Sequence, residues 1–187
     1  FAHVINPSMQ PKLPYVWDKA FAPVILIGRG PNVLVVAASS PYRNLQDVIA
    51  AARARPGKLT YASFGYGTSG HLAGEMFTNL ARVEITHVPY KGAAQAITDI
   101  LGGQADMIFG TAAAVASFVG SGKLRPVGVT SPGRSTSLPS VPAIGEIVPG
   151  YSVESWYGIY APAGTPQDVI ARLNAAIGAA AKNDEFR

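Results

Sequence analysis

From residue 32 to residue 130, short apolar runs rich in β-branched side chains alternate with amphipathic runs of about ten residues. VLVVA, LTYAS, VEITHVPY, QADMIFG and LRPVGVT read as strands. Between them LQDVIAAARA, the segment from a glycine loop to about Ala81, AAQAITDILGG and TAAAVASFVGSG read as helices. This order implies an α/β unit with a mostly parallel sheet, because a strand reaches a parallel neighbour only through a crossover. Composition agrees. Only 14% of the 187 residues are charged, against roughly 25% in ordinary soluble domains, so the elements are short and well buried.

The flanks have a different rhythm. Pro23–Ala38 contains two apolar runs separated by Gly28-Arg29-Gly30-Pro31, which predicts two strands around a break. Beyond Thr130 a proline-punctuated linker leads to YSVESWYGIYAPAG, an alternating strand, and then to a helix from about Pro166. The expected organisation is therefore residues 1–31 as part of a first domain and hinge, 32–148 as a second domain, and 149–187 as a second hinge strand returning to the first. A domain inserted through two strands is the hinge arrangement of a clamshell. The opening FAHVINPSM and the closing AAAKNDEFR both read as interrupted elements, so the chain is expected to be a piece of a longer protein.

Several functions are disfavoured at once. There are no cysteines, hence neither disulfides nor thiolate metal sites. The three histidines show no metal spacing. The 15 basic residues are scattered and the net charge is only +4, which argues against a nucleic-acid surface while leaving a mild pull on small anions. No stretch reaches the ~18 apolar residues that cross a bilayer.

The segment Gly65–Gly70, GYGTSG, matches three motifs in part. As a dinucleotide fingerprint it lacks the acid at the far end of the next strand: Glu84 stands at that strand's beginning. As a P-loop it has His71 and Leu72 where Lys and Ser/Thr belong, and leucine cannot ligate Mg²⁺. A nucleophile elbow needs glycine at position 71. What survives is the feature these motifs share, a capped helix N-terminus behind accessible backbone, suited to a carboxylate or phosphate. Thr68 or Ser69 can cap it and both add hydroxyl donors. An ordinary capped helix with nothing in front of it is the competing reading.

The turns Ser63-Phe64-Gly65, Pro89-Tyr90-Lys91-Gly92 and Phe109-Gly110-Thr111 all end strands and precede helices, so three helix N-termini can meet at one mouth. Tyr90 offers a ring and a phenol, Lys91 a charge. Asp106, near the start of its strand, reads either as a surface acid or as a grip for a ligand amino or hydroxyl group. His71 is expected to bond neighbouring backbone, His87 to be a satisfied core or edge residue, and Glu75 to pair with His71 along one helix face. Trp156 and Tyr157 read as hinge packing. No catalytic constellation is present, so no enzyme activity is expected.

The strings GTSGHLAGEMF, VPYKGAAQAITDILGGQADMIF, SGKLRPVGVTS, LPSVPAIGE and WYGIYAPAGTP, in this order, resemble the Bug/TctC-type solute receptors of tripartite tricarboxylate transporter systems. The resemblance covers nearly the whole chain. It implies a type II periplasmic-binding-protein-like clamshell with domain 1 incomplete, no cofactor, a periplasmic location, and membrane permease subunits as partners. The implied ligand is a small organic acid: a di- or tricarboxylate, an acidic amino acid or an aromatic acid. Carried over, the ligand-binding residues are Ser63, Gly65, Gly67, Thr68, Ser69, Tyr90, Lys91, Gly92 and Asp106. Phe64 and Tyr66 stand where smaller or polar residues are frequent in the family, which favours a flatter acid. An effector-binding domain of a transcription regulator, with the same clamshell, is the alternative; a nucleotide-cofactor enzyme using GYGTSG is the more remote one.

Overall fold

A computed structural model describes residues 2–10 and 12–183; the end of the AAAKNDEFR run, 184–187, lies outside the described residues. In chain order the elements are α1 (Ala2–Met9), α2 (Trp17–Ala20), β1 (Phe21–Ala37), α3 (Leu45–Ala54), β2 (Thr60–Ser63), α4 (Ser69–Ala81) and β3 (Thr86–Pro89). They continue with α5 (Ala93–Leu101), β4 (Met107–Thr111), α6 (Ala112–Gly120), β5 (Leu124–Val129), β6 (Glu154–Pro162) and α7 (Gln167–Ala180). A short 3₁₀ turn, Ile144–Glu146, is the helical stub of the proline-rich linker. None of the described helices is long and apolar enough to cross a membrane.

The chain divides into two compact units: Phe1–Arg29 with Trp156–Arg187, and Gly30–Ser155. In the first, Val24, Ala161 and Ile170 form a small core joined by Ala22, Ile25 and Ile177. Asn174 on α7 donates its Nδ2–H to the Val24 carbonyl at 2.7 Å, fixing that helix to β1.

In the second unit the strand order is β3-β2-β4-β1-β5. β2 lies parallel to β3 and β4, while β1 runs antiparallel to both its neighbours, β4 and β5. Four of these five strands thus run in one direction, and the reversed strand, β1, lies next to the edge strand β5, so two of the four pairings are parallel and two antiparallel. β1 shows why the apolar runs lack polar alternation. Val33 and Val35 pack on one face with Ile97, Ile100 and Val115, and Leu34 and Val36 pack on the other with Leu45, Phe77 and Ile144. Every residue from Val33 to Val36 is fully buried, so each contributes on the order of 1.5–3 kcal/mol of apolar burial.

Two local expectations are corrected. The break at Gly28–Pro31 does not form, and β1 passes through it as one strand of 17 residues. The local preference of Gly28-Arg29-Gly30-Pro31 for a turn is overridden by sheet pairing, since β6 pairs with β1. The strand expected over VEITHVPY begins only at Thr86. Arg82 closes α4 in the left-handed conformation (φ 51°) and Val83 donates its N–H to the Thr78 carbonyl, which holds the start of that run against the helix end.

Candidate functional site at the head of helix α4

The parallel register places Ser63 opposite Pro89 and Ala62 opposite Ile108, so β2, β3 and β4 end at one edge of the sheet. Helices α4, α5 and α6 start there. Their approach is close: a Cβ on Gly70 would stand 2.3 Å from the Phe109 carbonyl oxygen, so only glycine lets the head of α4 rest on the end of β4. Gly67 takes φ 73°, a left-handed turn that brings the loop back over the helix.

Thr68 is the N-cap. Its Oγ1 accepts the His71 N–H at 3.4 Å and donates to the Gly65 carbonyl at 2.7 Å. Ser69 and Gly70, the first two residues of α4, are left with N–H groups that have no acceptor among the described residues. These two donors, with the positive end of the 13-residue helix behind them, form an anion-seeking centre.

Several of the other nominated groups are engaged elsewhere. The Gly67 N–H points inward to His71 Nδ1 at 3.2 Å, and the Ser63 hydroxyl meets His87 Nε2 at 2.7 Å. Ser63 Oγ also bonds the Gly65 backbone, accepting its N–H and donating to its carbonyl. Burial, reinforced by the neighbouring carboxylate of Asp99 on α5, raises the Tyr90 pKa. Lys91 is exposed beside Gly92, the N-cap of α5. Asp106 sits at the start of β4, the opposite end of the sheet from the loop. Its Oδ2 accepts both the N–H (2.8 Å) and the hydroxyl (3.1 Å) of Thr60. Geometry thus gives Asp106 a strand-pairing role and removes it from the mouth.

Behind the loop lies a cluster that spacing along the chain does not reveal. The rings of His71 and His87 stack at 4.4 Å, Tyr61 stacks on His87 at 4.7 Å, and Tyr66 sets its ring edge-on to both histidines. Tyr61 donates its hydroxyl to Glu75 Oε1 at 2.5 Å. His71, Glu75 and His87 bring ligating atoms within 4.8 Å of one another. The hydrogen bonding is nevertheless wrong for a metal. His71 Nδ1 accepts the Gly67 N–H, so the neutral ring carries its proton on Nε2, the nitrogen that faces Glu75 at 3.9 Å. The cluster is a brace for the loop.

Burial, reinforced by the neighbouring His71, pushes the His87 pKa down to about 4, and burial lowers His71 as well against the opposing pull of Glu75. Both rings are neutral in the folded protein and gain protons on unfolding as acid is added. Stability from this pair is fully present above about pH 6.5, the unfolded-state value, and is lost as pH falls towards about 4. Urea midpoints measured across that window should fall with acidity. A His87→Gln variant should show a shallower slope; an equal slope would mean the histidine does not titrate as described.

Three buried polar residues escaped the sequence reading: Asn32, Ser155 and Thr130, each at most 3% exposed. Ser69 Oγ donates to Asn32 Oδ1 at 3.2 Å, and Ser155 Oγ donates to Ser69 Oγ at 2.5 Å. A polar residue set directly before VLVVA was the available signal for Asn32.

The family model described as "Tripartite tricarboxylate transporter family receptor" matches residues 2–187. The chain is 42% identical over 179 residues to the UPF0065 protein in the tcbD-tcbE intergenic region of Pseudomonas sp. strain P51, covering 95% of this chain and 53% of that protein. It is 33% identical to Protein BugT of Bordetella pertussis, covering 91% and 52%. The chain thus spans about half the length of the curated relatives it matches. Among solved structures, R. palustris Rpa4515 with adipate superposes at TM-score 0.88 with 37% identity, covering 94% of this chain and 59% of that one. MatC from Rhodopseudomonas palustris with bound malate gives 0.90 and 28%, covering 99% and 63%. Holo ArgBP from T. maritima, at 17% identity and TM-score 0.55, shares the fold alone.

Proposed function

The chain belongs to the tripartite tricarboxylate transporter receptor family, and from that premise we propose that it is part of a periplasmic receptor that binds a small carboxylate and presents it to a membrane permease. The observation that carries this reading is the pair of N–H donors on Ser69 and Gly70 at the head of α4 that have no acceptor among the described residues. Each such donor gives a carboxylate oxygen a charge-assisted hydrogen bond, and the helix dipole adds to it. The solved relatives carrying adipate and malate support the ligand class. Lys91, exposed at the same sheet edge, supplies a cation that draws anions toward the mouth. The ligand is held without being changed: the histidines and hydroxyls near the loop are engaged in bracing it.

The test is a thermal-shift screen of the full-length protein against organic acids, with adipate, malate, aspartate and benzoate included. Ligand at about 100 times its Kd adds roughly 2.7 kcal/mol, which raises the melting temperature of a protein about twice this length by roughly 4 °C. A response to nucleotides but to no carboxylate would overturn the proposal.

A further inference from the structure

Asn32 is fully buried, and its Nδ2 has no hydrogen-bond partner among the described residues. The residue cannot drift. Its N–H donates to Thr130 Oγ1 at 2.7 Å, and its carbonyl accepts the Thr130 N–H at 3.0 Å and the Thr130 hydroxyl at 3.1 Å. The side chain lies beside Ser69, the first residue of α4; its Oδ1 receives the Ser69 hydroxyl proton at 3.2 Å, while Ser155 Oγ, 3.4 Å away, gives its one proton to Ser69 Oγ. A buried NH₂ with nothing to bond is costly, and an orphan N–H is rarer in proteins than an under-used carbonyl.

Turning the amide over exchanges N and O at nearly the same positions. Nδ2 then gives one hydrogen to Ser69 Oγ, and Ser155 still donates to Ser69. Both lone pairs of Ser69 are filled, so its own proton has to leave the cluster. The two orientations offer opposite chemistry at the head of α4. With Oδ1 toward Ser69, that hydroxyl can only accept; with Nδ2 toward it, the hydroxyl can only donate.

We propose that Asn32 is a positioning residue for the ligand: with Nδ2 turned to Ser69, it makes the Ser69 hydroxyl a third donor, beside the Ser69 and Gly70 N–H groups, to a carboxylate at the head of α4. The inference rests on the carboxylate reading above and adds to it the polarity of the site. An ionised acid is favoured over its amide, because the amide offers only one acceptor oxygen where three donors converge.

The experiment is calorimetric titration of the full-length protein with adipate and with malate. Ser69→Ala is expected to weaken binding by about tenfold or more, the loss of a hydrogen bond to a charged group. Asn32→Asp, which can only accept, pulls the Ser69 proton inward and should weaken binding similarly. In a Ser69→Ala background Asn32→Asp should then add less than about threefold, because the donor it controls is already gone. Effects that multiply instead would mean that the introduced carboxylate acts by charge alone, and the role of Asn32 would fall while the carboxylate reading stands. If none of the screened acids, aspartate and benzoate included, binds the wild type, both fall. Should Asn32→Asp fail to fold, the side-chain NH₂ signals of Asn32 in ¹⁵N-labelled wild type decide. They are expected to shift on adding the acid, and unmoved signals would overturn the proposal.

Discussion

Gly70→Ala is expected to cost the Gly30–Ser155 unit about 3 kcal/mol, at the upper end of the range for overpacked cores, and to weaken carboxylate binding at least tenfold. The added Cβ would lie 2.3 Å from the Phe109 carbonyl oxygen, with the carbonyl carbon at 3.4 Å. Most tight contacts are relieved by a side chain swinging away, but here the opposing atom is backbone. Phe109 belongs to β4, which is paired with β1 on one side and β2 on the other, so it has little freedom to move. The head of α4 has to lift by about 1 Å to restore an ordinary contact. That displacement moves the Ser69 and Gly70 N–H groups, and hydrogen bonds to a ligand depend steeply on geometry. Urea unfolding and calorimetry on the same preparation check both effects. Retained affinity together with lost stability would show that the ligand is not held at this terminus.

Phe109→Ala should be more damaging to stability still, by about 3–5 kcal/mol. The ring is 1% exposed and meets Tyr61 edge-on at 5.8 Å and Phe77 at 5.9 Å. Its removal leaves a cavity between two large aromatic side chains, both themselves fully buried. They cannot collapse into the gap without breaking other contacts. Tyr61 is held by its bond to Glu75, and Phe77 packs against Tyr151, whose hydroxyl donates to the Ala73 carbonyl at 3.0 Å. A loss below about 1 kcal/mol would mean that this side of the sheet repacks freely. Binding should weaken too, because β4 forms the floor on which α4 rests.

The alternation of strands and helices was legible because burial on both faces leaves a plain mark, an apolar run bounded by turn residues. The direction of β1 was not. An antiparallel strand between β4 and β5 is a property of pairing, and the run VLVVA reads the same in either direction. Gly28–Pro31 carried a correct local signal for a turn, but pairing with β6 overrides it. At the site, the loop and its cap could be read from GYGTSG, since capping is a matter of three or four consecutive residues. The bond from the Gly67 N–H to His71, four residues on, is the neighbouring-backbone bond expected of that histidine; the inward turn of the Ser63 hydroxyl could not be read, because His87 is brought beside it by the β2–β3 register. Asp106 failed for a related reason. Its Thr60 partner stands on the neighbouring strand, 46 residues away in sequence. Asn32 and Ser155 are 123 residues apart, and only the folded chain brings them together.

The position of β1 also sets the order in which the molecule can assemble. Residues 32–37 pair with segments that follow them by more than seventy residues in β4 and by more than eighty-five in β5. Contacts that close such long loops form slowly, since the entropy of closure must be met before any pairing rewards it. Until then VLVVA, a short uncharged stretch of high β propensity, has both edges open, the signature of a segment prone to pair with other chains. The strand that ends as the most thoroughly buried part of the sheet is thus, for the longest part of its history, the one most in need of shelter.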